Sequence, residues 1–209
     1  MDSYKITKEY YTKRAEYHSE VSILYDWENQ INKFVNGLEG KLILDAGCGR
    51  GRDIKKFQKK GYEVESLDYS PEMIELCRKQ YPSTKFIVAD LRKTGQPSEH
   101  YPGIWACASI LHLKKEDAKD ALKEFHRILK PNGKLFISVK KGTEEKLLRQ
   151  KNRQRFFKFY TKNELKDFLE NNGFNVKEIE IKKYEELAKK EKGLTDHNWI
   201  CAYAEKNEK

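Results

Sequence analysis

A glycine-rich segment, residues 41–53, restricts the fold of this chain more than any other stretch, and it reads Lys-Leu-Ile-Leu-Asp-Ala-Gly-Cys-Gly-Arg-Gly-Arg-Asp. The apolar run at 42–44 has no polar break, which is typical of a strand buried on both faces of a sheet. Asp45 ends this run, and it is followed at alternate positions by Gly47, Gly49 and Gly51. Because glycine has no Cβ and adopts positive φ readily, a ligand can approach such a loop closely.

The basic, amphipathic stretch from Arg52 to Lys60 predicts a helix directly after this loop. A strand, a tight glycine loop and a helix N-terminus form a nucleotide-type site, since unpaired N–H groups and the helix dipole favour a negative group. The dinucleotide fingerprint G-x-G-x-x-G would need glycine where the chain has Arg52, which disfavours a nicotinamide oxidoreductase. The loop alone leaves open a tight strand–helix turn that binds nothing.

Length and composition predict one α/β domain over residues 1–209 with a highly charged surface. Hydrophobic residues make up 38% of the chain and charged residues 36%, and the mean hydropathy is −0.89. No apolar run approaches the ~20 residues that span a membrane. The N-terminus, Met-Asp-Ser-Tyr-Lys-Ile-Thr-Lys, has no apolar segment of signal-peptide type. We therefore expect a cytoplasmic protein with no membrane partner.

The cysteines are too far apart in sequence to indicate a metal site or a redox pair, and we predict no metal ion. We expect buried thiols in a reducing compartment at Cys48, Cys77, Cys107 and Cys201. The formal charge of +9 allows an acidic partner but does not demonstrate one. The sequence leaves the oligomeric state open.

Beyond the first loop, predicted strands and helices alternate. Residues 1–38 carry apolar side chains at helical spacing and predict two amphipathic helices. Further strands are predicted at Tyr62–Leu67, Lys85–Val88, Ile104–Ala108, Lys134–Val139, Phe174–Ile181 and Asn198–Ala204. The expected fold is a Rossmann-like, seven-stranded, mostly parallel sheet with an antiparallel last strand, helices on both faces and an N-terminal helical extension. Carboxylates fall at the predicted ends of three strands, namely Asp45, Asp68 and Asp90.

With these elements assigned, the chain resembles the small, single-domain class I S-adenosylmethionine-dependent methyltransferases. The resemblance is carried, in the family's order, by the loop Asp-Ala-Gly-Cys-Gly-Arg-Gly-Arg-Asp at 45–53, Ser-Leu-Asp-Tyr-Ser-Pro-Glu-Met at 66–73, Val-Ala-Asp-Leu at 88–91, Trp-Ala-Cys-Ala-Ser-Ile-Leu-His-Leu at 105–113 and Leu-Lys-Pro-Asn-Gly at 129–133. It is most similar to bacterial methyltransferases of the tellurite-resistance and ubiquinone-biosynthesis type.

This resemblance implies that S-adenosylmethionine is the cofactor. It implies that Asp68 accepts from the ribose hydroxyls, that Asp90 accepts from the adenine amine, and that Asp45 lies near the methionine ammonium. Arg52 is a candidate for the methionine carboxylate, and Tyr11 for closing over that end. The remaining cofactor contacts are expected from Gly47, Cys48, Gly49, Tyr69, Ser70, Met73, Leu91, Ala106 and Cys107.

Several of these residues also have purely structural interpretations. Asp68 could cap the following helix, although Ser70 is better suited because proline follows it as the first helical residue. Asp90 could begin a turn, and Arg52 could be solvated. Tyr11 and Met73 could pack in the core.

A methyl bound to a sulfonium is already activated, so the protein mainly has to align the acceptor with it. A base is needed only when the acceptor is protonated, and His112, just after the fourth strand, is the candidate. The weaker candidates for such a base are His18, His100, His126 and His197. The fourth strand lacks the motif of amino-group DNA methyltransferases, and no Pro-Cys nucleophile occurs. We expect a small-molecule acceptor; the alternatives are an RNA acceptor, or a non-catalytic module that holds the cofactor and binds RNA.

The RNA alternative depends on a basic insertion at 140–160. Its residues 140–158 hold eight lysines and arginines against two glutamates, and Phe156, Phe157, Phe159 and Tyr160 lie at its end. Cations beside aromatic side chains can hold phosphates and stack bases. We expect this segment to form a rim over the acceptor side; the alternative is a solvated helix whose aromatic residues return to the core.

Overall fold

Strands and helices alternate along the parts of the chain that this computed structural model describes, residues 3–13, 25–150, 153–183 and 198–207. The strands are β1 Leu42–Ala46, β2 Glu63–Asp68, β3 Lys85–Val88, β4 Tyr101–Cys107, β5 Leu129–Lys140, β6 Glu145–Gln150, β7 Arg153–Lys158, β8 Phe174–Lys182 and β9 Trp199–Lys206. The helices are α1 Ser3–Thr12, α2 Glu28–Val35, α3 Ile54–Lys59, α4 Pro71–Gln80, α5 Lys115–Ile128 and α6 Lys162–Glu170, with a 3₁₀ turn at Ile110–His112.

Seven strands form one sheet in the order β3-β2-β1-β4-β5-β9-β8. The pairs from β3 to β5 are parallel, and β9 runs antiparallel to both β5 and β8. The strand order reverses between β1 and β4, so right-handed crossovers carry α3 and α4 to one face and α5 to the other. The predicted sheet and its antiparallel last strand are confirmed, and the final two strands pair with each other.

Several predicted element boundaries were wrong, among them that of the strand expected from Ile104, which begins at Tyr101. The helix expected from Arg52 begins at Ile54, because Gly51 has φ of +71° and residues 51–53 still belong to the turn. The strand expected from Lys134 begins at Leu129. There the Pro-Asn-Gly sequence at 131–133 lies inside the pairing of β4 with β5 as a bulge, in which Asn132 has φ of +57°.

The basic segment is not a helix. Its strands β6 and β7 pair with each other as an antiparallel hairpin, with Leu147 opposite Phe156 and Leu148 opposite Arg155. The aromatic residues Phe156, Phe157, Phe159 and Tyr160 are all buried. The alternative of a solvated helix for this segment was therefore wrong, although the aromatic side chains of the segment do pack in the core. Lys151 lies outside the described residues.

The N-terminal extension packs on this hairpin and on the sheet. Thr7 in α1 accepts a hydrogen bond from the Phe156 N–H at 3.1 Å. Gly37, with φ of +65°, follows α2 where the sequence predicted a helix end. The predicted apolar positions Ala15, Tyr17, Val21 and Leu24 lie outside the described residues.

An aromatic cluster joins α2 and α3 to the sheet. Trp105 of β4 stacks on Phe136 of β5 with ring centroids 3.8 Å apart, and Phe34 and Phe57 pack against Trp105. Burying one such side chain contributes about 1.5–3 kcal/mol. This cluster lies beneath the loop at 47–53 and fixes its position on the sheet.

All four cysteines are buried and free, as predicted. Among the residues that the structure describes, no helix has the length and apolar character that crossing a membrane requires.

Candidate functional site

A cavity of about 210 Å³ lies beside the carboxyl ends of β1, β2 and β4. This is the point where the strand order reverses, which is where ligands bind in open α/β sheets. The helix α1 and the hairpin also contribute to its wall. The predicted site residues that line the cavity are Tyr11, Gly47, Cys48, Gly49, Arg52, Asp68, Tyr69, Ser70, Met73, Leu91, Cys107 and His112.

The glycine loop is tied to the ends of β1 and β2 by short hydrogen bonds. Gly47 and Cys48 donate their N–H groups to the Leu67 carbonyl at 2.7 and 2.9 Å. Gly47 has φ of +86°, and a Cβ there would lie 2.4 Å from the Cβ of Ser109. Gly49 has open space above it, since a Cβ there would meet nothing within 4 Å. The loop thus leaves room for a ligand above Gly49.

Asp68 connects this loop to the start of α4. Its carboxylate accepts the Gly49 N–H and the Ser70 N–H, each at 2.9 Å. Burial raises the pKa of Asp68, and these two backbone N–H groups oppose the rise. The Ser70 side chain accepts the Met73 N–H at 3.3 Å, so Ser70 caps α4 as predicted.

Asp45 is buried behind the loop and does not line the cavity. Burial raises the pKa of Asp45 well above its usual value, nearby Asp53 adds to the rise, and Arg52 opposes it. Ala106 likewise does not line the cavity and is buried within β4. The expected roles of both residues stay predictions.

The guanidinium of Arg52 is bound to a neighbour that the sequence interpretation overlooked. It donates to both carboxylate oxygens of Asp53, at 2.9 and 2.6 Å, and to the sulfur of Cys107 at 3.1 Å. The Trp105 indole also donates to Asp53, at 3.0 Å. Arg52 is therefore not simply solvated: it lines the cavity while it neutralises a buried carboxylate.

Asp90 lies beside the cavity but not in its lining. Arg92 donates to both of its oxygens, with the shortest contact at 2.7 Å, and to Asp117 at 2.6 Å. The same guanidinium lies 4.5 Å from the ring of Tyr4, which stacks on Tyr69 with centroids 4.4 Å apart. The sequence signal that was missed is the arginine two positions after the aspartate.

His112 stands in a hydrogen-bonded chain at the hairpin side of the cavity. Its Nδ1 is 2.8 Å from the Phe156 carbonyl oxygen, and its Nε2 is 2.7 Å from the hydroxyl of Tyr11. A carbonyl only accepts, so Nδ1 carries a hydrogen, and in the neutral ring Nε2 accepts from Tyr11. Arg155 donates to the Tyr11 oxygen at 3.2 Å.

Neither His100 nor His126 lines the cavity. His100 is beside Tyr101, with ring centroids 4.7 Å apart, and His126 is beside Phe174 at 5.6 Å. His18 and His197 are outside the described residues. In the described part of the chain, no group of His, Cys, Asp and Glu is arranged to hold a metal ion.

Lys140 and Arg155 also line the cavity. The sequence analysis assigned both to the basic segment and did not distinguish them from its exposed cations. Lys140 is 2% exposed and lies 4.3 Å from the ring of Trp199. The Arg155 guanidinium is 4.5 Å from the ring of Phe157. Within the described chain, Ser109 Oγ and Trp199 Nε1 are buried without a hydrogen-bond partner, and both residues line the cavity. These orphan polar atoms indicate a site shaped for a polar ligand.

Residues 43–133 match a family model described as a methyltransferase domain. This match covers less than half of the chain. Among similar proteins, a malonyl-[acyl-carrier protein] O-methyltransferase of Salmonella typhimurium is 26% identical over 119 residues, 57% of this chain and 47% of that protein. A demethylmenaquinone methyltransferase of Chlorobaculum parvum is 34% identical over 107 residues, 50% of this chain and 43% of the relative. Both alignments span less than half of the relative's own length.

The fold of this chain has solved counterparts. One is the Burkholderia thailandensis 1,6-didemethyltoxoflavin-N1-methyltransferase, solved with 1,6-didemethyltoxoflavin and S-adenosylhomocysteine. It has a TM-score of 0.76 and 18% identity, and the match covers 98% of this chain and 88% of that one. The two chains therefore share the same Rossmann-like fold.

Proposed function

We propose that this protein transfers the methyl group of S-adenosylmethionine to a small-molecule acceptor in the cytoplasm, as one domain over 1–209. The main support for the proposal is the hydrogen bond from Gly49 of the glycine loop to Asp68. It lies where the strand order of a methyltransferase-type sheet reverses. The open space above Gly49 and the orphan atoms of Ser109 and Trp199 support it. When bound, the cofactor supplies an electrophilic methyl on a sulfonium.

The cofactor would be held by residues of the loop and the strand ends. In this proposal Asp68 accepts from the ribose diol, and Tyr69, Met73 and Leu91 pack on the adenosine. The methionine end lies against Cys107 and Arg52, with Asp45 supplying negative charge from behind the loop. Asp90 stays a prediction for the adenine amine, and binding there requires that Arg92 share its carboxylate.

Small acceptors are favoured by the names of the similar proteins, which refer to a malonyl carrier conjugate, a demethylmenaquinone and a didemethyltoxoflavin. The four buried free thiols support the cytoplasmic location, since thiols persist in reducing compartments. RNA is the second candidate, whether as acceptor or as the partner of a non-catalytic module. The chain's charge of +9 favours it, but the buried aromatic residues of the hairpin do not offer a stacking surface.

Titration calorimetry tests cofactor binding. S-adenosylmethionine and S-adenosylhomocysteine should bind, and NAD should not, because Arg52 stands where the dinucleotide loop needs glycine. An Asp68→Asn variant should bind S-adenosylhomocysteine about 30-fold more weakly, the equivalent of about 2 kcal/mol. Absence of heat with either sulfur compound at millimolar concentration would overturn the proposal, as would comparable heat with NAD.

A further inference from the structure

Asp53 is a buried carboxylate that follows the glycine loop and lies outside the cavity lining. It occupies the N-cap position of α3, where an aspartate side chain usually accepts a backbone N–H of the first helical turn. Here the side chain makes no such hydrogen bond. Its oxygens instead accept from Arg52 at 2.9 and 2.6 Å and from the Trp105 indole at 3.0 Å. The carboxylate of Asp53 therefore binds the neighbouring arginine and does not cap the helix that it precedes.

The contact between Asp53 and Arg52 fixes the plane of the guanidinium. Nε donates to one carboxylate oxygen and Nη2 to the other, a two-pronged geometry that aligns the two planar groups. Nη2 also donates to the sulfur of Cys107 at 3.1 Å, so the guanidinium is held both from the loop and from the end of β4. Within the described residues, Nη1 makes no hydrogen bond. Arg52 lines the cavity, so Nη1 is the nitrogen that remains for a ligand.

The pair of Arg52 and Asp53 offers a ligand a fixed direction more than a charge. An ionised Asp53 cancels the charge of the guanidinium, so the pair attracts an anion only weakly at a distance. A free arginine side chain has many rotamers to lose when it binds a ligand, and Asp53 has already removed that freedom. A buried ion pair adds little net stability compared with apolar side chains of similar volume. Preorganisation of Arg52 is therefore a stronger reason for a carboxylate at position 53 than stability is.

We propose that Asp53 is a positioning residue that acts through Arg52 and gives the site its preference for a ligand with a carboxylate at the amino-acid end. The inference rests on the proposed cofactor binding, in which the methionine end lies against Arg52 and Cys107. The ligand carboxylate would accept from Nη1, at the end of the guanidinium that Asp53 leaves open. Because Asp53 does not line the cavity, it has no other route to the ligand.

Calorimetry with two ligands that differ only in the carboxylate tests the proposal. The ligands are S-adenosylhomocysteine and its decarboxylated analogue, which keeps the adenosine, the thioether and the ammonium group. Parent protein should bind S-adenosylhomocysteine about 30-fold more tightly than the analogue, as expected for one hydrogen bond between charged groups. Asp53→Asn should reduce this preference about tenfold by weakening S-adenosylhomocysteine binding, while the affinity for the analogue stays within about twofold.

Glu124→Gln is the matched control for the loss of an arginine-bound carboxylate. Arg127 donates to both oxygens of Glu124 at 2.8 Å, and neither residue lines the cavity. This variant removes the same kind of two-pronged contact from a different part of the fold. It should therefore leave the affinities for both ligands unchanged.

Two variants of Arg52 separate position from charge. Arg52→Lys keeps the positive charge but cannot make the two-pronged contact with Asp53, so it should lose the carboxylate preference almost as fully as Arg52→Gln. Adding Asp53→Asn to Arg52→Gln should cause no further loss, because the effect of Asp53 passes through the arginine. If Asp53→Asn does not fold, the comparison of Arg52→Lys with the parent decides the question on its own.

The outcomes that would overturn the positioning role differ from those that concern the proposed function. Equal affinity of the parent for both ligands would refute the inference, as would the parent's preference in Arg52→Lys. An equal loss of both ligands in Asp53→Asn, or additive losses in the double variant, would show that Asp53 is only structural and would also refute it. A parent protein that binds neither ligand would instead refute the proposed function.

Discussion

Among single residues, Gly47 has the least tolerance for a side chain. An alanine Cβ would lie 2.4 Å from the Cβ of Ser109 at a φ of +86°. We expect Gly47→Ala to lower the free energy of unfolding by about 3 kcal/mol, which combines overpacking with a left-handed backbone. Gly61→Ala is the control: Gly61 has φ of +77° with no atom within 4 Å of its Cβ, so only the backbone cost of about 1 kcal/mol applies. Urea unfolding measures both, and equal losses would contradict the steric argument.

The buried carboxyl group of Asp45 should lower the free energy of unfolding by an amount that depends on pH. Burial and Asp53 raise its folded pKa, so its contribution to stability is fully present below the usual carboxyl pKa and is lost as pH rises through the folded value. Asp45→Asn should therefore have a larger free energy of unfolding than the parent at pH 7–8, by about 1.4 kcal/mol for each pKa unit of the shift, and should unfold at a higher temperature. This advantage should vanish near pH 3. Asp120→Asn, at an exposed helix position, should show no such trend.

Between elements, the hydroxyls of Thr7 and Tyr11 in α1 each accept a hydrogen bond from β7 at the cavity wall. Thr7→Val removes the acceptor of the buried Phe156 N–H, which should cost about 1–3 kcal/mol locally. We expect faster hydrogen exchange in α1 and β7, and faster release of S-adenosylhomocysteine. Thr161→Val removes the cap of α6, where Thr161 accepts the Glu164 N–H, away from the cavity lining. It should lower overall stability by about 1 kcal/mol without changing exchange in α1. The same exchange pattern in both variants would contradict a specific role of the Thr7–Phe156 hydrogen bond in holding α1 on β7.

For the molecule as a whole, the sequence predicted the features that depend on local residue patterns. The uninterrupted run at 42–44, the Ser70-Pro71 cap and the alternating final strands all report backbone state and burial, so the sheet and its antiparallel last strand followed from them. The helix start at Arg52 failed because Gly51 extends the turn, and a basic amphipathic run does not reveal where a turn ends.

The sequence predicted several residues of the candidate site but not the hydrogen bonds that these residues make. Asp68 and Tyr11 line the cavity, but their hydrogen-bond partners come from distant parts of the chain, such as Arg155 to Tyr11. Such pairings depend on tertiary packing and have no local signature. The hairpin shows the same limit, since residues 140–158 carry a charge pattern that suits a helix face or a strand edge equally.

The net charge of +9 raises the question of whether a nucleic acid is the acceptor. The hairpin's buried aromatic residues cannot stack on bases, and Arg155 is turned into the cavity, which leaves exposed cations such as Lys146 and Arg149. We expect poly(U) to bind only nonspecifically, at about 10⁻⁴–10⁻⁶ M, and more weakly still in a Lys146→Gln, Arg149→Gln variant. Neither poly(U) nor these substitutions should alter S-adenosylhomocysteine affinity.

Salt then separates the two acceptor classes. Transfer to a small acceptor bound beside α1 and the hairpin should change by less than about twofold between 50 and 200 mM NaCl, because partly buried charges are screened much less than exposed ones. An RNA acceptor that makes six or more phosphate contacts would lose on the order of 10³-fold in affinity over the same range. Rates measured on a saturating amount of labelled cofactor, with parent and the double glutamine variant side by side, distinguish these outcomes. A steep salt dependence that the double variant reduces would mean that the exposed hairpin cations bind the acceptor, and the small-molecule proposal would then be wrong.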